Sequence, residues 1–369
     1  MNITILQENI VSSLITANKF APSKTTTLPV INNFLLSASK DVITVTASDL
    51  ETVIEVIVPG KVEEEGDVLL PSKTAISLLS SFSGEKLSIQ SNDHSLIIKG
   101  TSSHVSLQSG PVGDFPRVVV ENEMKKIRVS SAFLVDVFQK VSIAASADQA
   151  RAVLTGVLFD IISGSLSVVA TDGFRLAKLS YEKGVFREKI LLPVKVIRAL
   201  SSILKGDEGE FADVVVRDDG QIVFLLKGVR FVTRVIEGVY PDYQRIIPAT
   251  GTTKVIVGRE DLLRAVKFGA VLARESSNII KMAIQGESVI ISANAPQTGK
   301  NEMSIPSKTD GDVVDIAFNY RFLVDFLQAD NAQEVSFETN GPLSPGVFRF
   351  VGNASYLYVV MPVRLQDEQ

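Results

Sequence analysis

Apolar and polar positions alternate along this chain in two rhythms, and the order of the rhythms recurs. Over 7–18, Ile10, Val11, Leu14 and Ile15 fall on one side of a 3.6-residue repeat while Gln7, Glu8, Ser12 and Ser13 fall elsewhere, which predicts a helix. Over 44–58 the pattern alternates strongly, and the β-branched Val53, Ile54, Val56 and Ile57 suit a strand. Pro71-Ser72-Lys73 opens a second helix through Ala75, Ile76, Leu78, Leu79 and Phe82, which Ser83-Gly84 ends. Further alternating runs predict strands over 86–90, 95–99 and 104–108.

The same plan then returns twice. Ile3-Thr4-Ile5, Ile127-Arg128-Val129 and Val255-Ile256-Val257 each precede a helical pattern. Phe34-Leu35-Leu36 is echoed by Val157-Leu158-Phe159 and by Met282-Ala283-Ile284. Leu69-Leu70-Pro71 is echoed by Leu191-Leu192-Pro193 and, more weakly, by Ala317-Phe318-Asn319, each opening a helix. Later helices are predicted near 132–141, 194–204, 260–271 and 320–327. The period far exceeds that of solenoid repeats, so each copy can bury a core of its own. The expected fold class is α+β, with two helices set against antiparallel strands in each of three like domains. Turn-rich sequence places the domains at 1–120, 121–250 and 251–369, with hinges at Glu121-Asn122-Glu123 and over 248–253.

Length agrees with this count, because 369 residues suit about two to three domains. No window approaches the roughly 20 uncharged apolar residues of a membrane span, and the start lacks a signal-peptide pattern. Cysteine is absent, which excludes disulfides, thiolate catalysis and cysteine-bound metal. Only His94 and His104 could supply imidazole, and both lie in strand-like sequence where a structural or solvent-facing role is expected rather than a metal site. A cytoplasmic protein without cofactor or metal is the simplest expectation.

The net charge of −5 argues against a uniformly basic surface, yet not against a basic stripe. The predicted helices carry Lys73, Lys140, Lys195, Arg198, Lys205, Arg264, Lys267 and Arg321 among their polar residues, and Lys24 joins the same set. These are either ordinary solvated faces or, because repeated domains place equivalent helices equivalently, a continuous phosphate-contacting surface. Nothing in the set resembles a base-reading motif.

Three motifs carry a family resemblance: residues 170–177 (Ala-Thr-Asp-Gly-Phe-Arg-Leu-Ala), Tyr240-Pro241-Asp242-Tyr243-Gln244-Arg245, and the terminal run 359–365 (Val-Val-Met-Pro-Val-Arg-Leu). With Thr46-Ala47-Ser48-Asp49-Leu50-Glu51 in the first copy, the chain resembles, over its whole length, the bacterial DNA polymerase III beta subunit family, the sliding clamps. The resemblance implies a head-to-tail homodimer of three-domain protomers, closed around duplex DNA with helices lining the hole and sheets outside. Such a ring tethers the replicative polymerase without sequence specificity. Other implied partners are the clamp loader and further proteins with short clamp-binding peptides, in the cytoplasm and at the nucleoid during replication.

By itself, Asp172-Gly173 reads as a tight turn between strands, followed by Arg175 and Leu176. The resemblance adds a peptide pocket formed by Leu154, Thr171, Gly173, Phe174, Arg175 and Leu176, with Pro241, Arg245 and Ile246. Val359, Val360, Met361, Pro362, Val363, Arg364 and Leu365 complete it, with Leu343 at its edge. Phe174 replaces a frequent family histidine and Val363 a common methionine, which implies a drier or stiffer pocket with a shifted peptide preference. Phe82, Leu107, Val271 and Leu272 are candidates for the dimer contact. The competing classes are an enzyme using Asp172 with Arg175 or Asp49 with Glu51, and an interaction scaffold that never surrounds DNA. Against catalysis, neither carboxylate motif has a histidine or cysteine beside it, and phosphate-loop spacing is missing.

Overall fold

The computed structural model describes residues 1–22, 28–92, 95–117, 126–184, 186, 188–204, 211–217 and 219–364. Its six described α-helices are α1 (Gln7–Asn18), α2 (Ser72–Ser80), α3 (Ser131–Lys140), α4 (Val194–Leu204), α5 (Arg259–Ala273) and α6 (Tyr320–Leu327). The repeat is visible in how they begin. Strands Asn2–Leu6, Ile127–Ser130 and Thr253–Gly258 lead directly into α1, α3 and α5, while Gly66–Pro71, Ile190–Pro193 and Val314–Asn319 lead into α2, α4 and α6. Buried positions keep the helical period, as at Ile10, Leu14 and Ala17 of α1. Asn319 caps α6 by accepting the Arg321 N–H at 3.0 Å. None of the described helices is long and apolar enough to cross a membrane.

Contacts divide the chain into two compact units, 1–131 with 202–235 and 132–201 with 236–369. The first holds a five-stranded and an eight-stranded sheet, both antiparallel. In the larger sheet Thr52–Val58, from the first repeat, pairs with Val229–Arg234 of the middle repeat, with Phe231 opposite Ile54. Phe231 stacks on Phe224 at 4.7 Å and meets Phe20 at 5.4 Å, fixing the join in the core. The second unit holds a twelve-stranded sheet in which Arg175–Tyr181 pairs in the same way with Tyr356–Val360. Phe326 of α6 lies over Phe350, Tyr356 and Tyr358 there, with centroids 4.5 to 6.1 Å apart. Sheets thus run from one repeat into the next, which is why three sequence copies give two compact units.

The alternating run over 44–58 is two strands, Val42–Ser48 and Thr52–Val58, because the chain reverses at Asp49-Leu50-Glu51 with Leu50 at φ 76°. The helix expected to reach Phe82 ends at Ser80. His104 is exposed on an edge strand. His94 and the hinge at 121–123 lie outside the described residues.

Candidate functional site

The turn between strands Ser165–Thr171 and Arg175–Tyr181 is built by its own side chains. Thr171 Oγ1 accepts the Gly173 N–H at 3.1 Å and donates to the Arg175 carbonyl at 2.6 Å. Asp172 Oδ1 accepts the N–H groups of Phe174 and Arg175 at 2.9 and 3.0 Å. Gly173 sits at φ 92°, where a side chain would be strained. From outside, Arg151 donates to the Asp172 carbonyl at 3.0 Å while its Nε holds Asp148 at 3.0 Å. Backbone bonds to Ala150 and the pairing with Arg151 hold the Asp148 carboxyl below its usual pKa.

Three distant segments meet at this turn. Met361 N–H donates to the Phe174 carbonyl at 2.8 Å, extending the ladder that pairs Leu176 with Val359. The short helical turn Tyr243–Ile246 brings up Ile246. A narrow cleft results, lined by Thr171, Gly173, Arg175, Leu176, Ile246, Val359 and Met361. Its volume of about 10 Å³ is at the lower limit for a single water. Beneath it Leu154, Leu158, Leu176, Tyr240, Tyr243 and Val359 form one buried cluster. Tyr243 is anchored by donating to Asp160 at 3.0 Å, and burial raises its pKa and that of Tyr240.

Seven of the predicted pocket residues therefore line one cleft, and Leu154 supports it from below. Phe174 and Leu343 stand outside the lining and are 60% and 59% exposed, as aromatic and apolar surface. Pro241 and Arg245 are exposed, and Arg245 pairs with Asp242 at 2.9 Å. Pro362 and Val363 are half-buried, with the Val363 N–H donating to the Ala317 carbonyl at 2.9 Å, and Arg364 is exposed. Val360 corrects the sequence expectation. It is fully buried and absent from the lining, because strand alternation turns it to the face opposite Val359. Leu365 lies outside the described residues.

Arg175 faces inward more than sequence reasoning anticipated. Its Nε donates to Asp172 Oδ2 at 3.0 Å, and its Nη1 to Asp325 at 2.5 Å and to the Tyr358 hydroxyl at 3.2 Å. Burial alone would lower its pKa, but Tyr358 and Asp325 turn the shift upward. Arg151, Asp325 and Phe322, whose ring centroid lies 4.4 Å from the Arg175 guanidinium, were not singled out from sequence, and Tyr243 entered only as part of a motif. Asp148 before a short helical turn is a readable cap signal for Arg151, whereas nothing local marks Asp325.

Of the proposed phosphate contacts, Lys73, Arg198, Lys267 and Arg321 are exposed on α2, α4, α5 and α6. Arg264 is exposed and bridges Asp261 at 2.6 Å, and Lys195 is half-buried. Lys140 is a correction: its ammonium bridges Asp136 at 2.7 Å and Asp330 at 3.1 Å, which neutralises it within its own unit. Lys24 and Lys205 lie outside the described residues. Among the dimer candidates Val271 is 60% exposed, Leu107 and Leu272 are half-buried, and Phe82 is 9% exposed and mainly a core residue. Leu107 sits on strand His104–Gln108, which ends its sheet. In strand Gly299–Asp310 only 307–310 pair with Thr253–Gly258, so the first half keeps a second open edge.

Repeated strand–helix units thus carry one narrow, mainly apolar cleft, and no cluster of metal-ligating side chains occurs among the described residues. Family models for the N-terminal, central and C-terminal domains of the DNA polymerase III beta subunit match residues 1–119, 128–242 and 244–364. The chain belongs to that family. A beta sliding clamp of Chlamydia trachomatis is 27% identical, over 99% of this chain and 87% of that relative. The DNA polymerase sliding clamp of Bacillus subtilis superposes with a TM-score of 0.92 at 26% identity, covering 99% of this chain and all of the other. A sliding clamp of Pseudomonas aeruginosa bound to griselimycin gives 0.90 at 26% identity, with the same coverage. Membership makes the chain a non-catalytic processivity subunit in DNA replication, with DNA and a DNA polymerase as partners. A scaffold that never surrounds DNA is not favoured.

Proposed function

We propose that two copies close head to tail around duplex DNA, and that short peptides of the polymerase, the clamp loader and other proteins dock in the cleft. The carrying observation is the convergence of the Asp172 turn, the Tyr243–Ile246 segment and the chain's last strand on one apolar cleft. Apolar walls with a flexible Met361 at the mouth suit a site that accepts several related peptides. Affinity near micromolar, about 8 kcal/mol, is expected from a few buried anchors. Leu343, Pro241, Arg245, Pro362, Val363 and Arg364 form the surrounding surface of this site, and exposed Phe174 favours an apolar or aromatic neighbour. Titrating a labelled polymerase peptide against Met361→Ala and against a chain ending at Val360 tests the reading. Loss of binding with the dimer intact is expected, and undiminished binding by both would move the site elsewhere.

The open edges at 104–108 and 299–306 support a subunit contact, since unpaired strand edges invite pairing. Leu272→Asp is expected to give monomers by sedimentation. Lys73, Arg198, Lys267 and Arg321 are the exposed cations for a loose, salt-sensitive hold on phosphate. Retention on closed circular DNA with release on cutting distinguishes encirclement from an interaction scaffold. The protein acts in the cytoplasm, at the nucleoid during replication.

A further inference from the structure

We propose that Arg175 is a positioning residue, which braces the cleft-forming turn from inside and fastens it to α6; this deepens the reading of the cleft as a peptide site and rests on it. One oxygen of Asp172 accepts two turn N–H groups, and Arg175 Nε holds the other oxygen at 3.0 Å. The carboxylate that shapes the turn is thereby fixed at both ends. The far side of the guanidinium reaches Asp325 and Tyr358, and its centre lies 4.4 Å from the Phe322 ring centroid. Phe322 and Asp325 are three residues apart on one side of α6, and neither lines the cleft.

The brace is not what makes the turn. In the first repeat the turn at Ser48–Thr52 has the same backbone bonds, with Thr52 where Arg175 stands. The additional ties serve what the turn does at 171–175, where it walls a cleft of about 10 Å³. Because the turn forms one wall of the cleft, its position sets the shape that a docking side chain meets. A planar fork is required, because an ammonium cannot hold two carboxylates in fixed directions while lying over a ring. The Arg175 side chain is 12% exposed, so loss of Asp325 leaves a largely buried cation that must shift, and Asp172 shifts with it.

The experiment measures binding of a labelled clamp-binding peptide of the replicative polymerase to full-length Asp325→Ala, Asp325→Glu, Arg175→Met and the Arg175→Met/Asp325→Ala pair. Asp325→Ala should weaken binding by roughly tenfold, with the chain still folded, its melting temperature lowered and its dimer mass unchanged. Asp325→Glu should recover most of that loss, and Asp325→Ala should add nothing in the Arg175→Met background. Unchanged affinity in Asp325→Ala, or an equal further loss in the Arg175→Met background, would overturn the proposal. Should Arg175→Met not fold, Arg175→Lys takes its place and must reproduce the loss. Met361→Ala, measured alongside, separates two failures. Loss there with none in Asp325→Ala removes the positioning role alone, whereas loss in neither removes the cleft as the peptide site and the positioning role with it.

Discussion

The turns at Ser48–Thr52 and Thr171–Arg175 are the same device with different consequences. In each, a hydroxyl accepts the third residue's N–H at 3.1 Å and an aspartate oxygen accepts the next two, at 3.2 and 2.8 Å in one and 2.9 and 3.0 Å in the other. In each, a later strand ends by donating into the turn, Arg234 to the Glu51 carbonyl and Met361 to the Phe174 carbonyl. The two differ in side chains. Leu50, 53% exposed at φ 76°, stands where Gly173 leaves room, and Thr52 contacts Thr233 at 3.2 Å where Arg175 reaches α6. A Ser/Thr-Asp pair is enough to build the turn, and the two residues around it decide whether the turn walls a cleft.

Making the second turn resemble the first should have the largest effect. Gly173→Leu places a side chain over the cleft, and peptide affinity should fall at least a hundredfold, about 2.7 kcal/mol by titration. The positive φ should also cost about 1–2 kcal/mol of stability, read by denaturant unfolding, and the nearest described atom to the new Cβ is Arg151 Nη1 at 3.3 Å. Next comes removal of the shared cap. Asp49→Ala and Asp172→Ala should each lower stability by about 1–2 kcal/mol, because each leaves two turn N–H groups without their acceptor. Only Asp172→Ala should weaken peptide binding, and equal binding losses would show that the two turns are not functionally distinct.

Alkaline pH should separate the two units more gently. All six tyrosines lie in the second unit, and burial raises the pKa of Tyr181, Tyr240, Tyr243, Tyr356 and Tyr358. A raised folded-state pKa gives stability that is complete below the unfolded value of about 10 and is lost as pH climbs above it. Hydrogen exchange measured above that pH should show 236–364 opening before 28–92, with tyrosinate absorbance rising as it opens. The smallest change is expected for Leu50→Gly. Relief of the positive φ and the greater freedom of glycine in the unfolded chain nearly cancel, leaving a shift within about 1 kcal/mol.

Much of the architecture was legible because it is local and repeated. The helices at 7–18, 194–204 and 320–327 follow from apolar spacing, and Asp172-Gly173 declares its turn through an aspartate acceptor and a glycine free to take positive φ. The strand break at Leu50 was missed because leucine carries no turn signal, and the bonds that hold it there come from Ser48 and Asp49.

By itself the sequence determined the repeated strand–helix plan, the turn chemistry and the family to which the chain belongs. The tertiary structure alone decided how those parts are used. Arg175 meets a carboxylate 150 residues away, Lys140 is neutralised by Asp330 as well as by its helical neighbour Asp136, and Val360 turns into the core while Val359 borders the cleft. Turns and helix starts depend on side chains reaching their own nearby backbone, so a short window of residues specifies them. The direction of a long charged side chain and the width of a cleft depend on groups brought across by sheet pairing, and no local window contains those groups.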